Sequence, residues 1–329
     1  MKFSFVIPVY QTEAQLPRCL KSLAAQTCGD FEAIVVDDGS PGGRAAEIVS
    51  SFDSRFRYVR HARNLSLLQA RLTGLRTAAG DYVVPLDADD YVGAELVARL
   101  SREVAAHPET DVLVVQMTYD RGGRLRRTKL RYRDERLTGA EALDRLFASR
   151  LPCAICGKAV RRALYLEAAE QLGVGEDFYL NSSEDLCQTF PVLVNARSVA
   201  TLAYPGYFYW INPDSLTATL ADPAKMGKAA ENTRRVFDTL AAFVRRNGFD
   251  ASLLPRLEKF FEPTLEWYLG CIRHADEATW RACAAELCRH FPPDLVARKA
   301  MTLIEGSLTF RLGRLLTRPL RLLARRNMV

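Results

Sequence analysis

The sequence has no apolar run of the about 18 residues that a membrane-spanning helix needs. It also lacks a secretory signal, because Pro8 ends the short apolar segment after Met1 and no small-residue cleavage site follows. Low-complexity tracts are missing as well, while 48% apolar residues are enough for a sizeable core. These features predict a folded protein on the cytoplasmic side of the membrane.

Cysteine and histidine are too sparse to indicate a disulfide framework or a zinc site. The eight cysteines are dilute in 329 residues, and the four histidines form no cluster. Cys153 and Cys156 make a single C-x-x-C, without the second pair or the histidines found at zinc-finger spacing. A metal or redox role for this pair is therefore the minor alternative, and we expect the cysteines to be free.

Motifs of three common enzyme classes are also missing. A Rossmann oxidoreductase needs G-x-G-x-x-G after its first strand, where residues 8–12 are Pro-Val-Tyr-Gln-Thr. The chain has no P-loop. A haloacid-dehalogenase-type phosphatase carries its nucleophile near the N-terminus, and Asp87 lies too far along the chain for that role.

Strand and helix patterns alternate through the first half of the chain. Strands rich in β-branched and aromatic residues are predicted at 3–7, 31–36, 56–59, 81–85 and 111–119, with helices between them. This alternation predicts an α/β fold with a mainly parallel sheet and right-handed crossovers. From Pro223 the pattern is helical almost to the end. We therefore place a boundary near residue 220, between an α/β domain (1–220) and a helical region (221–329).

Three local signals accompany this pattern. Thr12-Glu13-Ala14-Gln15 has the spacing of a capping box and predicts the start of the first helix. Asp120-Arg121-Gly122-Gly123 predicts a hairpin turn. Asp38 precedes Gly39, so we expect its carboxylate to hydrogen-bond locally within a turn.

Polar side chains follow three of the predicted strands where each strand ends. They are Tyr10, Asp37, Asp87 and Asp89. Because ligands of open α/β sheets bind beyond the carboxyl ends of the strands, these residues predict one site. A D-x-D pair suits an oxygen-coordinated divalent ion, and Mg²⁺ is often shared with substrate phosphates. The alternative is that these acids cap the helix that begins near Gly93.

The ordered set of motifs resembles the nucleotide-sugar domain of family 2 glycosyltransferases. The resemblance covers about the first two-thirds of the chain. Its motifs are Val6-Ile7-Pro8-Val9-Tyr10, Val35-Val36-Asp37-Asp38-Gly39-Ser40, Asn64, Ala70-Arg71 with Gly74, Leu86-Asp87-Ala88-Asp89-Asp90, Gly157-Lys158, Ser183-Glu184-Asp185-Leu186 and Tyr207-Phe208-Tyr209. It implies a GT-A fold, a UDP-sugar donor, Mn²⁺ or Mg²⁺ as cofactor, and inversion at the anomeric carbon.

The resemblance also implies roles in donor binding. Asp89 corresponds to the direct metal ligand, and Asp87 to an acid near the ribose or the metal-bound water. Asp37 corresponds to the acceptor of a hydrogen bond from uracil. The backbone and side chains of Pro8, Val9 and Tyr10 would flank the base and ribose. Arg71 is either a phosphate or ribose contact or a surface arginine, and Lys158 is either close to the donor or an ordinary strand residue.

On the acceptor side, Asp185 corresponds to the base of such enzymes, and Glu184 would orient it or bind the acceptor. The alternative is that both acids serve the N-terminus of their helix. Trp210 stands where related sequences often carry a basic residue, so it would stack on a sugar or pack in the core. The acceptor would be a glycan or lipid-linked glycan in capsule, lipopolysaccharide or other surface glycan assembly. Transfer of a single residue is expected because Q-x-x-R-W is absent. A non-catalytic nucleotide-sugar-binding protein is the rival hypothesis.

Basic residues are concentrated in two places. One run comprises Arg121, Arg124, Arg126, Arg127, Lys129, Arg131 and Arg133. The other is the C-terminal tail, with arginines at helical spacing: Arg311, Arg314, Arg318, Arg321 and Arg325. A basic amphipathic helix in the tail would lie on an anionic membrane, or else dock on the protein with its arginines in solvent. We expect no nucleic-acid partner and a cytoplasmic protein, peripheral on the inner face of the membrane if the tail binds lipid.

Overall fold

A computed structural model of the protein describes residues 2–180, 183–211 and 222–305, with side chains as far as Leu303. The chain divides into two compact units, Met1–Asn212 and Pro213–Val329. The predicted boundary near residue 220 lies outside the described residues, and so does the basic tail beyond Glu305. Among the described helices, none is both long and apolar enough to cross a membrane.

The first unit is built on one ten-stranded sheet. Its strands are β1 (Phe3–Val9), β2 (Phe31–Asp37), β3 (Phe56–Arg60), β4 (Tyr82–Pro85), β5 (Tyr91–Val92), β6 (Val112–Arg121), β7 (Arg124–Arg127), β8 (Glu135–Thr138), β9 (Lys158–Arg161) and β10 (Ser198–Trp210). The order is β3-β2-β1-β4-β9-β6-β10-β5, with β7 on β6 and β8 on β10. β1, β2, β3 and β4 pair in parallel, as do β6 and β10, while β9 runs antiparallel to both β4 and β6.

The described residues of this unit form seven helices, which flank the sheet. They are α1 (Leu16–Ala24), α2 (Arg44–Ser50), α3 (Leu67–Thr77), α4 (Leu96–Ala106), α5 (Gly139–Phe147), α6 (Arg162–Leu172) and α7 (Glu184–Asn195). Every residue of β1 and β2 is buried, as in a sheet covered on both faces. The mainly parallel α/β fold predicted from the sequence is confirmed, and so is the hairpin, in which Gly122 and Gly123 both have positive φ.

The predicted capping box at residues 12–15 is wrong. Helix α1 begins at Leu16 with Gln15 as its N-cap and without a side-chain cap, and the buried Thr12 hydroxyl finds no partner among the described residues. Gln11 has a φ of 56°, and its N–H donates to the Ser40 hydroxyl at 3.1 Å. The chain therefore turns sharply after β1 and enters the helix three residues later than the motif indicates.

The second unit is helical where it is described. Its helices are α8 (Pro223–Arg246), α9 (Leu253–Cys271), α10 (Glu277–His290) and α11 (Pro293–Glu305). They pack around a core that includes Met226, Leu265, Trp280 and Leu287. Within it, the Thr233 and Tyr268 hydroxyls hydrogen-bond at 2.7 Å, which satisfies two buried polar groups.

Candidate active site

The carboxyl ends of β2, β1 and β4 lie side by side in the sheet, because these strands are parallel neighbours. Tyr10 and Asp37 lie at the ends of the first two, and the D-x-D segment follows the third. The end of β10 joins this edge through its pairing with β5. The predicted clustering of strand-end residues at one edge is therefore what the topology produces. Pro8 and Val9 lie in register with Val36 and Asp37.

Asp37 is completely buried and held from two sides. Its Oδ1 accepts the Ser40 N–H at 2.8 Å, and its Oδ2 accepts the Tyr58 hydroxyl at 2.6 Å. Burial and this carboxylate raise the pKa of Tyr58 to about 12, so the phenol stays a donor. Arg60 lies 3.8 Å away. Asp37 is thus fixed in orientation at the end of β2, and only its remaining lone pairs are left for a ligand.

Asp38 does not make the local bonds expected of a turn residue, so that prediction is wrong. Its carboxylate reaches across to the segment before α3, where it accepts the N–H groups of Leu65 at 2.8 Å and Ser66 at 2.9 Å and contacts His61 Nδ1 at 2.7 Å. This approach depends on Gly39, since a Cβ there would lie 2.6 Å from a backbone carbon of Arg63. Asp38 therefore shapes the strand-end loop.

Arg71 joins the two acidic motifs. Its guanidinium is nearly fully buried, with Nη2 2.7 Å from Asp87 Oδ1 and Nη1 3.0 Å from Asp185 Oδ1 and 3.2 Å from Glu184 Oε1. These carboxylates raise the pKa of Arg71 well above its usual range and outweigh the opposing effect of burial. The surface-arginine alternative is wrong, because α3 presents this side chain to the interior rather than to solvent.

Glu184 and Asp185 begin helix α7 behind Ser183, which has a φ of 63°. Asp185 is about one-third exposed, and its Oδ1 also accepts the N–H of Ile155 at 3.2 Å. Glu184 is buried, and burial together with the neighbouring Asp185 raises its pKa to about 7. The two acids thus differ: Asp185 faces solvent while one of its oxygens is fixed, and Glu184 stays inside against Arg71.

Lys158 supports the loop before β9 and donates to no carboxylate in the described residues. Its fully buried ammonium donates to the carbonyls of Pro152, at 2.9 Å, and Ala154. Burial lowers the pKa of Lys158 to about 8. The loop it holds places Cys156, whose thiol donates to Asp87 Oδ2 at 3.2 Å. Cys156 is a site neighbour that sequence reasoning missed, although it directly precedes Gly157-Lys158.

The D-x-D segment is tied to β10 by Asp90. This buried carboxylate accepts the Tyr207 hydroxyl at 2.5 Å and the Trp210 N–H at 2.7 Å, and the Asp87 N–H donates to the same hydroxyl at 3.3 Å. Burial and the adjacent carboxylates of Asp87 and Asp89 raise the pKa of Asp90 well above its usual range. Asp90 and Tyr207 belong to two of the family motifs, but no role was predicted for either residue.

Trp210 packs at the same end of the sheet. The Arg18 guanidinium lies 5.0 Å from the Trp210 ring centroid and 5.1 Å from that of Tyr91, and it also donates to the Asp89 carbonyl. The indole packs against Arg18 as the packing alternative expects, and its partial exposure leaves a surface for the sugar of the other alternative. No sequence motif pointed to Arg18.

The donor set fits a divalent cation completed by a ligand. Asp89 is partly buried, and no other described residue hydrogen-bonds its carboxylate; burial and Asp87 raise its pKa to about 6. Both oxygens of Asp87 already have partners, Arg71 and Cys156. Among the described residues no three potential ligands converge. Mg²⁺-type sites that share substrate phosphates need only one or two carboxylates, so Asp89, with Asp87 beside it, is sufficient.

The fold is similar to that of TarS from S. aureus. The structure of TarS 1-349 with UDP-GlcNAc has a TM-score of 0.61 and 20% identity, covering 93% of both chains. The UDP complex has a TM-score of 0.58 at 20% identity, covering 93% of this chain and 92% of TarS 1-349. At this identity the likeness shows a common fold, and it confirms the predicted GT-A architecture.

Curated proteins of higher identity identify the family. The uncharacterized glycosyltransferase EpsJ of Bacillus subtilis is 30% identical over 253 residues, 74% of this chain and 70% of EpsJ. A PGL/p-HBAD biosynthesis glycosyltransferase of Mycobacterium tuberculosis is 32% identical over 169 residues, 50% of this chain and 60% of that protein. The profile of Glycosyl transferase family 2 matches residues 4–168, half of the chain. The chain therefore belongs to glycosyltransferase family 2.

Proposed function

We propose that this glycosyltransferase moves a sugar from a UDP-sugar to a hydroxyl of a glycan or lipid-linked glycan. The reaction inverts the anomeric carbon and contributes to the assembly of surface glycans. The donor assignment is supported by the fold shared with TarS, whose structures hold UDP and UDP-GlcNAc. In this chain the uracil would lie against Asp37, and the ribose against the end of β1 near Tyr10. The diphosphate would then reach the D-x-D segment.

Asp89 would hold the divalent cation, Mn²⁺ or Mg²⁺, with Asp87 alongside. When bound, such an ion stabilises the negative charge that gathers on a departing diphosphate. Arg71 fixes Asp87 from one side and the Cys156 thiol fixes it from the other, so its carboxylate keeps one orientation. Arg18 anchors the Asp89 backbone through the carbonyl. These contacts make the acidic loop rigid before a donor arrives, which reduces the ordering cost of binding.

Asp185 would act as the base. The acceptor oxygen attacks the anomeric carbon, the bond from that carbon to the diphosphate oxygen breaks, and the hydroxyl proton passes to Asp185. One displacement of this kind inverts the centre. Because Arg71 and the Ile155 N–H both bind Oδ1, Oδ2 is the oxygen left to take the proton. Glu184, buried against the same guanidinium, orients this arrangement rather than contacting the acceptor.

One observation supports this function above the rest: a single buried guanidinium contacts both Asp87 and Asp185. Its two ion pairs hold the D-x-D segment and the proposed base next to one residue. If Asp185 only capped its helix, it would not need an ion pair with the arginine that also binds the D-x-D loop. Transfer needs the leaving diphosphate and the attacking hydroxyl on either side of one anomeric carbon, so the contact between the two acidic motifs supports this reaction.

The test is hydrolysis of a panel of UDP-sugars with Mn²⁺, followed by calorimetry with UDP. Asp185→Asn should lower turnover by about 10²-fold or more with little change in UDP affinity, because Asn keeps the side-chain shape but cannot take the proton. The matched control is Glu95→Gln, which neutralises an exposed acid of the same unit. Near-normal turnover of Asp185→Asn would show that this residue only begins its helix. UDP binding without any hydrolysis or transfer would favour the non-catalytic alternative.

We also propose, from the sequence alone, that the basic tail brings the enzyme to an anionic membrane. Its arginines lie outside the described residues. Their helical spacing and the lack of acidic residues after Glu305 favour a basic amphipathic helix. Membrane attachment would suit an acceptor carried on a lipid.

A further inference from the structure

The hairpin of β6 and β7 presents an unusual concentration of positive charge. Arg121, Arg124, Arg126 and Arg127 are all exposed. Within the described parts of the chain, none of the four has an acidic partner within ion-pair distance. Several other arginines of this unit that reach solvent do, as Arg136 does with Glu103 and Glu109. Four unneutralised guanidinium groups on one short hairpin favour an anionic ligand.

The strand register sorts these arginines by face. Arg121 lies opposite Arg124, and Arg126 lies opposite Tyr119. Since side chains alternate along a strand and paired residues share a face, Arg121, Arg124 and Arg126 lie on the same face as Tyr119. Arg127 lies on the other face. Three of the four cations therefore belong to a single surface.

The same surface continues onto β10 as a pair of tyrosines. Tyr119 is in register with Tyr209, and their rings meet edge to face with centroids 5.7 Å apart. Both are unusually open for aromatic residues, 40% and 38% exposed. Tyr209 shares its face with Tyr207, two residues earlier, whose hydroxyl bonds Asp90. The row Arg126–Tyr119–Tyr209 thus runs from the hairpin to the D-x-D segment.

The hairpin is fixed to the active site rather than loosely attached. The buried carboxylate of Asp120 accepts the Gly123 N–H of the turn at 2.7 Å and the Tyr91 hydroxyl at 3.0 Å. Tyr91 directly follows Asp90, and its ring stacks on Phe208 at 4.8 Å. One carboxylate therefore links the turn of the basic hairpin to the strand after the acidic motif. Any ligand on this surface has a defined position relative to the transfer site.

We propose that this surface, Arg121, Arg124 and Arg126 with Tyr119 and Tyr209, is an acceptor subsite for an acidic glycan. The open tyrosine faces and edges suit the C–H surface of sugar rings, and the guanidinium forks suit carboxylate or phosphodiester groups along the chain. Its use as an acceptor site rests on the proposed glycosyl transfer. An anionic membrane would meet the charge but would gain nothing from the tyrosine row. A nucleic acid could stack its bases on these rings, but the course of the row towards the proposed transfer site favours a glycan acceptor.

The test measures binding of fluorescent acidic oligosaccharides, an oligogalacturonate and a phosphomannan fragment, by the full-length protein without donor. Replacing all three site-face arginines, Arg121→Gln, Arg124→Gln and Arg126→Gln, should weaken binding about 10-fold. The matched control removes three exposed cations from the helices of the same unit, Lys21→Gln, Arg76→Gln and Arg102→Gln, and should have little effect. Equal losses in both triple variants would overturn the proposal, because the attraction would then be general.

Two further comparisons separate sugar recognition from charge. Arg126→Gln should weaken binding more than Arg127→Gln, which changes the other face of the same strand. Tyr119→Ser should weaken oligogalacturonate binding about 5-fold but leave inorganic polyphosphate binding unchanged, because polyphosphate has charge without sugar rings. Tighter binding to poly(U) or to phosphatidylglycerol vesicles than to both oligosaccharides would assign the surface to another partner. If the wild-type protein binds these saccharides but hydrolyses no UDP-sugar, the proposed function is refuted, while the saccharide-binding surface is not.

Discussion

Arg71 provides the most direct test of how this site is held together. Its side chain is 2% exposed and contacts Asp87, Asp185 and Glu184 at 2.7, 3.0 and 3.2 Å. Arg71→Gln keeps a polar side chain but removes the cation, which leaves three close carboxylates without compensation. Removing one partner of a buried ion pair costs about 3–5 kcal/mol. Because Asp87 and Asp185 are 27% and 31% exposed, water relieves part of that cost. We therefore expect a loss of about 3 kcal/mol in the free energy of unfolding at pH 8.

The loss should depend on pH in a known direction. The guanidinium favours the ionised form of Glu184 and lowers the pKa of this group, so the pKa of Glu184 rises further in the variant. Folded-state pKa values above those of the unfolded chain mean that the folded variant binds more protons, and its stability then falls as pH rises. Protonation at pH 5 relieves the repulsion, starting with Glu184, whose pKa is already about 7. The destabilisation should therefore be clearly smaller at pH 5 than at pH 8.

The measurement is urea unfolding followed by tryptophan fluorescence. Trp210 reports on the first unit, and the other two tryptophans, Trp267 and Trp280, can be replaced by Phe in every sample to remove the signal of the second unit. The matched control is Arg136→Gln, since Arg136 also bridges two acids but at the surface. It should cost about 1 kcal/mol or less. Arg71→Lys keeps the charge and should lose less stability than Arg71→Gln.

Two outcomes would refute this reasoning. A loss below about 1 kcal/mol for Arg71→Gln would mean that the three contacts do not stabilise the fold. An equal loss of unfolding free energy at pH 5 and pH 8 would mean that Arg71 stabilises the fold by side-chain packing and not by charge compensation. If Arg71→Gln does not fold, the same pH comparison is made with Arg71→Lys against the wild type.

Three further predictions address the cation, the buried acid and the tail. Mn²⁺ should strengthen UDP binding in calorimetry and Asp89→Ala should abolish that gain, whereas equal affinity with EDTA would exclude the cation site. Between pH 5 and pH 8 the wild type should lose about 2 kcal/mol through ionisation of Glu184, because its folded pKa of about 7 exceeds the ordinary 4.5, and urea unfolding of Glu184→Gln should show a flatter profile. Truncation after Glu305 should reduce sedimentation with anionic liposomes and spare donor hydrolysis; a full-length protein that ignores such liposomes at low salt would disprove membrane attachment.

Much of the fold could be predicted from apolar strand patterns and from the motifs at strand ends. The fully buried strands β1 and β2 are mostly apolar, and each ends in a motif that marks the carboxyl edge of the sheet. Helix α6 was not predicted, since its residues follow β9 without a turn signal or a cap: its N-cap, Arg161, makes no side-chain bond. The antiparallel direction of β9 was not predicted either. It depends on where a chain returning from α5 finds an open place between β4 and β6.

The site was predicted as a list of residues but not as an arrangement. Strand ends bring Asp37 and Asp87 to one edge by topology alone, so their proximity could be inferred. The contact between Arg71 and Glu184 spans 113 positions in the chain, and no local pattern indicates that a helix will turn an arginine inward to meet it. The same applies to Asp38, whose partners lie in the segment before α3. Long-range compensation of charge is decided by packing, which a single sequence does not display.

The three acids that end β4 illustrate why residue type alone could not assign these roles. Asp87, Asp89 and Asp90 repel one another, so the fold has to compensate each of them differently. Asp87 is neutralised by Arg71, and Asp90 is buried with Tyr207 and a raised pKa. The carboxylate of Asp89 feels the charge of Arg18, but no other described side chain hydrogen-bonds it, so an added cation would relieve repulsion there. The proposal that Asp89 is the principal cation ligand is thus supported by what the other two acids already have.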